Sequence, residues 1–95
     1  VDSVWVAEAI SLFAVSRKFV QDILIEVNTS GERAKQGFVL QEAADRFLEI
    51  QNLPGLRLKG LMTIAPFTQN TDSVHEAFKK LKQLQTEICR QVSAE

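Results

Sequence analysis

Residues 4 to 15, VWVAEAISLFAV, place Val6, Ala9, Ile10 and Phe13 at the three-and-four spacing of one helical face, with further apolar residues on both flanks. The spacing predicts a helix buried on more than one side, capped by Asp2 or Ser3 through a side-chain oxygen that accepts from a first-turn amide. After a basic connector, Ser16 to Lys18, the segment DILIEVN at 22–28 gathers Ile23, Leu24, Ile25 and Val27 into a short β-branched run. Such a run predicts a strand of a parallel sheet, covered on both faces. The next residues, Thr29 to Gly37, are polar and bracketed by glycine, which predicts a loop leaving the carboxyl end of that strand.

From Leu40 the apolar positions Leu40, Ala43, Ala44, Phe47 and Leu48 form one stripe of an amphipathic helix reaching about Asn52, and Pro54 with Gly55 ends it. Leu56 to Ile64 begins with alternation at Leu56 and Leu58 and becomes a continuous apolar run, a second buried strand that opens into the polar loop Pro66 to Thr71. Ser73 with Glu76 reads as a capping box, and Val74, Ala77, Phe78, Leu81, Leu84 and Ile88 carry the face of a last helix to about Val92. The order helix, strand, helix, strand, helix predicts an α/β architecture with right-handed crossovers. Two strands alone leave parallel edges unpaired, so the isolated segment is expected to be molten or to aggregate.

Composition narrows this picture. Ninety-five residues are one domain or a piece of one, and 45% apolar with 24% charged residues is ordinary globular usage. A net charge of -1 provides no bulk field for a nucleic-acid backbone or an anionic membrane, and no apolar run approaches the roughly 20 residues of a membrane span. One cysteine, Cys89, and one histidine, His75, offer neither an internal disulfide nor a zinc spacing, which points to a reducing, cytoplasmic setting without structural metal. The first residue is Val, and residues 1 to 3 read as the end of an element, so the natural start is expected upstream. No P-loop, G-x-G-x-x-G, H-E-x-x-H or G-x-S-x-G occurs.

The strings ILIEVNTSGERAKQG at 23–37 and LPGLRLKGLMTIAP at 53–66 resemble the pyridoxal phosphate homeostasis proteins, also called the YggS or proline synthetase co-transcribed family. The resemblance extends over nearly all of the chain, with VDS at 1–3 similar to the end of that family's fourth barrel strand. It implies a partial TIM (β/α)8 barrel of the alanine racemase N-terminal type, about two and a half βα units, residues 1–95 being the central fragment of a single domain. The resemblance further implies binding of pyridoxal 5′-phosphate (PLP), a role in its homeostasis without established catalysis, and delivery to PLP-dependent apo-enzymes by a protein that is a monomer. The family's Schiff-base lysine and its phosphate-binding segment fall outside these residues, so the fragment alone is not expected to hold the cofactor.

Five residues become candidate cofactor contacts by position or motif: Asn28, Ser30, Lys35, Met62 and Thr63. Asn28, Thr29 and Ser30 stand where a strand gives way to a βα loop, and either reach the pyridoxal ring hydroxyl or satisfy turn amides. Lys35 matches the motif lysine, and either offers a second amine to the cofactor aldehyde or pairs in solvent with Glu32. Met62 either packs on the pyridine ring or fills a gap in the core. Thr63 lies between Met62 and Ile64 and faces the other way. Related alanine racemases end this strand in a T-H-F string, whereas this chain has Thr63-Ile64-Ala65, which counts against the alternative of a racemase-like enzyme. His75 reads as a solvated surface residue, Cys89 as buried or inert, and Asp45 with Glu49 as solvated charges.

Overall fold

The computed structural model describes residues 1–29, 37–65 and 69–94. Its elements are α1 (Val4–Ser16), β1 (Gln21–Asn28), β2 (Phe38–Val39), α2 (Ala43–Gln51), β3 (Leu56–Met62) and α3 (Thr71–Ala94). The three strands form one sheet in the order β2-β1-β3, and both pairings are parallel. The partial barrel of parallel βα units expected from the sequence is thus present, with one strand more than the periodicity predicts. That strand, β2, is two residues long and pairs Val27 with Phe38 and Asn28 with Val39. It lies within what reads as the approach to a helix, and its three-residue turn delays α2 from Leu40 to Ala43, with the Glu42 amide bonded to the Val39 carbonyl.

On the same edge of β1, the Val1 amino group donates to Leu24 O (2.8 Å) and the Glu26 amide donates to Val1 O (2.7 Å). This is the bond pattern of a parallel pair, so the opening residue continues the sheet.

The core lies on one side of the sheet. Ile23, Ile25 and Val27 alternate along β1 and are buried with Ala7 of α1, Phe38 of β2, and Ala43 and Ile50 of α2. Leu81 and Leu84 of α3 pack against the same cluster. The opposite face of β1 is open: Leu24 is exposed, and Glu26 and Asn28 are half-buried. The expected coverage on both faces is therefore seen on one face only among the described residues.

Three local expectations are corrected. In α1 the buried residues are Ala7, Ser11 and Ala14, and Ala9 and Phe13 of the predicted face are exposed. A helix whose apolar residues are spread around most of its circumference has no strong phase of its own, and the small residues win the sheet side because they allow close approach. Ser11 reinforces this choice by donating from its hydroxyl to the Pro54 carbonyl. Ser3 is the residue that caps α1, accepting from the Val6 amide. At α3 the capping box does not form. Asn70 Oδ1 accepts from the amides of Asp72 (3.0 Å) and Ser73 (3.3 Å), so Ser73 lies inside the helix. Cys89 is exposed, not buried.

The end of α1 is also built by backbone geometry. The Phe19 amide bonds to Ala14 O and the Lys18 amide to Val15 O, while Lys18 takes φ 60°, a left-handed closure without glycine. Phe19 then packs edge-on against Phe13, with ring centroids 6.0 Å apart, and the Arg17 guanidinium lies 5.1 Å from the Phe13 ring centre.

Candidate functional site

A register shift in β3 decides which side chains reach the open face. Ile23 pairs with Leu58, but the next residue, Leu24, pairs with Gly60, leaving Lys59 as an extra residue. Before this bulge, Leu56 and Leu58 pack towards the helices. Strict alternation would then put Gly60 and Met62 on the same side, but one inserted residue reverses the phase. After the bulge Leu61 pairs with Ile25 and joins the core, while Met62 pairs with Glu26 on the open face.

Met62, Glu26 and Asn28 therefore share the open side at the carboxyl ends of β1 and β3, all three half-buried. Ile64, just past β3, is 64% exposed. This arrangement joins a carboxylate, a carboxamide and a polarisable thioether on one surface. Glu26 was not among the residues singled out from the sequence, although its two-residue spacing from Asn28 carries the signal.

Thr63 is placed otherwise. Its hydroxyl donates to Val27 O (2.6 Å), and its Oγ1 lies 3.2 Å from Thr29 Oγ1. A carbonyl can only accept, so the single Thr63 proton is committed to Val27 and the Thr29 hydroxyl must donate to Thr63. Thr29 itself is 4% exposed, on the helix side with Val27. Lys80 of α3 reaches the Thr29 carbonyl with its Nζ at 3.4 Å. Thr63, Thr29 and Lys80 thus join the ends of β1 and β3 to α3 beneath the open face. Lys80 reads from the sequence as part of a charged helix surface, and only the approach of α3 to β1 reveals its contact.

The end of the β1–α2 connection is held close to the same place. Gly37 has φ 117°, and a Cβ there would lie 2.8 Å from the Asn28 amide nitrogen. Only glycine permits that approach in this conformation. Ser30 and Lys35 lie outside the described residues. Two clefts, of about 140 and 160 Å³, follow β3 on its α3 side, lined in part by Leu61 and Gln85, and neither contains a candidate cofactor contact. Among the described residues no cluster of three metal-ligating side chains occurs, and no helix is long and apolar enough to cross a membrane.

Comparison with known proteins assigns this geometry to a family. The alanine racemase N-terminal domain family matches residues 1–94. A pyridoxal phosphate homeostasis protein of Aquifex aeolicus is 38% identical over 85 residues, covering 90% of this chain and 37% of that protein. One from Haemophilus influenzae is 32% identical over 83 residues, covering 87% and 35% respectively. A crystal structure of an unknown protein from Bifidobacterium adolescentis superposes with a TM-score of 0.85 at 37% identity, covering 88% of this chain and 33% of that one. The chain thus spans little more than a third of the length of these curated relatives. By these matches and by its parallel βα units, the chain belongs to the alanine racemase N-terminal domain family, alongside the members named for pyridoxal phosphate homeostasis.

Proposed function

We propose that the polypeptide containing this chain binds PLP at the carboxyl ends of its parallel strands and serves PLP homeostasis inside the cell, without catalytic turnover. The observation that carries this reading is the match to pyridoxal phosphate homeostasis proteins over 85 residues, which include both strand ends described above. Barrel sites of this architecture lie at that end of the strands.

When bound, the cofactor supplies an aldehyde that condenses with amines and an electron-withdrawing ring. The described residues fit one wall of such a site. The Asn28 carboxamide can both donate to and accept from a ring substituent or an overlying water. Met62 offers a thioether, which packs favourably against a flat ring. Glu26 adds an acceptor on the same surface, and Thr63, bonded to Val27 and Thr29, holds the two strand ends in register beneath it. Ser30 and Lys35 complete the proposed set, Lys35 as a second amine near the aldehyde. The lysine that holds the cofactor covalently and the segment that binds its phosphate are assigned to other parts of the polypeptide, and PLP-requiring apo-enzymes are the proposed recipients. Ile64 supports the absence of turnover, because an aliphatic side chain there supplies no proton to a substrate carbon.

The test is intact mass and peptide mapping of the complete polypeptide after borohydride treatment with PLP, together with hydrogen exchange at amino-acid α-carbons in deuterated buffer. A single adduct on a lysine outside residues 1–95, without exchange, is expected. The absence of any adduct would remove cofactor binding. Exchange at enzymatic rates would replace homeostasis with racemase-like chemistry.

A further inference from the structure

The carboxyl end of β1 is held from the helix side of the sheet. Its pairing with β3 stops at Glu26 and its pairing with β2 stops at Asn28, so Thr29 follows the last paired position on either edge. Strand pairing alone therefore does not fix how the chain leaves Asn28. A contact from α3 does. Lys80 Nζ donates to the Thr29 carbonyl at 3.4 Å, across 51 residues of sequence. The Thr29 side chain is bonded to Thr63, so the residue is gripped at both its hydroxyl and its carbonyl.

The helix is built to make this contact. Ala77, one turn before Lys80, is 1% exposed, and its small side chain lets α3 approach the sheet there. Lys80 is half-buried, whereas Lys79 and Lys82 of the same helix are exposed, and Lys82 donates along the helix to Gln85. An ammonium on a long flexible stem suits the task, because it spans from a helix to a strand end and its charge strengthens the hydrogen bond.

We infer that Lys80 is a positioning residue for the cofactor wall: it holds Thr29 so that the adjoining Asn28 presents its carboxamide on the open face beside Met62. The inference rests on the proposed binding of PLP at these strand ends. Lys80 itself lies on the other side of the sheet and touches no ligand. Two other constraints meet at the same point, since the Thr63 hydroxyl ties β1 to β3 through Val27 O and the Gly37 backbone lies against Asn28. Lys80 supplies the tie to α3. Without it Thr29 keeps its bond to Thr63 but can pivot about that bond and turn the backbone at Asn28 with it. Hydrogen bonds weaken steeply when misdirected, so a small pivot is felt in affinity.

Absorbance titration of the complete polypeptide with PLP tests this, with circular dichroism and urea unfolding confirming that each variant is folded. Lys80→Met, which keeps length and helix propensity but cannot donate, should raise the Kd of PLP about fivefold, the worth of one hydrogen bond. Lys80→Arg, which still donates, should stay within about twofold of the wild type. Lys79→Met, which removes a charge from the exposed neighbour, should leave the Kd unchanged. The decisive comparison uses Asn28→Ala, which should itself weaken binding. In that background Lys80→Met should add nothing, because the side chain it positions is gone. If Lys80→Met or Asn28→Ala binds as the wild type does, or if their effects multiply, Lys80 serves only stability or the long-range field and the inference falls. A wild type that forms no borohydride-trapped adduct would remove the proposed function and this inference together. An adduct in the wild type with equal affinity in Lys80→Met would remove this inference alone.

Discussion

The hydroxyl pair at the strand ends makes an asymmetric prediction. The Thr63 proton is spent on Val27 O, so Thr63 donates once and accepts once, whereas Thr29 donates to Thr63. Replacing Thr63 by Val keeps the shape but removes both bonds and leaves the Thr29 hydroxyl, 4% exposed, without its acceptor. At about 1 kcal/mol per net hydrogen bond and about 1–3 kcal/mol for a stranded buried donor, Thr63→Val should cost roughly 2–4 kcal/mol. Replacing Thr29 by Val removes one bond and leaves Thr63 donating to Val27, so it should cost only about 1 kcal/mol. In the double variant no hydroxyl is stranded, so it should cost about as much as Thr63→Val alone or less, a coupling of about 1 kcal/mol or more between the sites. Urea unfolding of the complete polypeptide and the two single and one double variants measures all three values, provided the m-value is unchanged. If the two single variants cost the same, or the double variant costs their sum, the donor assignment is wrong and the two hydroxyls act independently.

Other outcomes follow from single features. Ile25 is fully buried at the centre of β1, so Ile25→Ala should lower stability by about 2–5 kcal/mol in the same unfolding assay. Asn70→Ala should cost about 1 kcal/mol by removing the α3 cap, while Ser73→Ala, inside the helix, should change stability much less; thermal unfolding of the two variants distinguishes them. Lys18→Gly should raise stability by roughly 0.5–1 kcal/mol, because the left-handed closure of α1 at φ 60° strains any residue with a side chain. Gly37→Ala should destabilise by about 1–3 kcal/mol and weaken PLP binding, read from the cofactor's absorption, because its Cβ would press on the Asn28 amide.

The parts of this protein legible in its residues are those with a local cause. β1 announces itself because Ile23, Ile25 and Val27 are β-branched and closely spaced, and the stripe of α3 because Ala77, Leu81, Leu84 and Ile88 recur at helical spacing. The stop at Pro54 and Gly55 follows from residue types alone, while most of the loop expected after β1 lies outside the described residues. Candidate contacts at strand ends were legible for the same reason, since the end of an apolar run marks where a strand stops.

Three decisions needed the folded chain. Which side of α1 is buried was undetermined by apolar residues spread around most of the helix, until Ser11 met Pro54 and the small residues met the sheet. The two residues of β2 are too few to show a period, and they exist as a strand only because β1 offers them an edge. The extra residue at Lys59 depends on how β3 pairs with Ile23 and Leu24, and it alone turns Met62 to the open face beside Glu26. Local periodicity thus determined which segments are helix and strand. The phase of each element, and with it the make-up of the candidate site, came from the partner it packs against, because a face acquires meaning only when another surface covers it or leaves it bare.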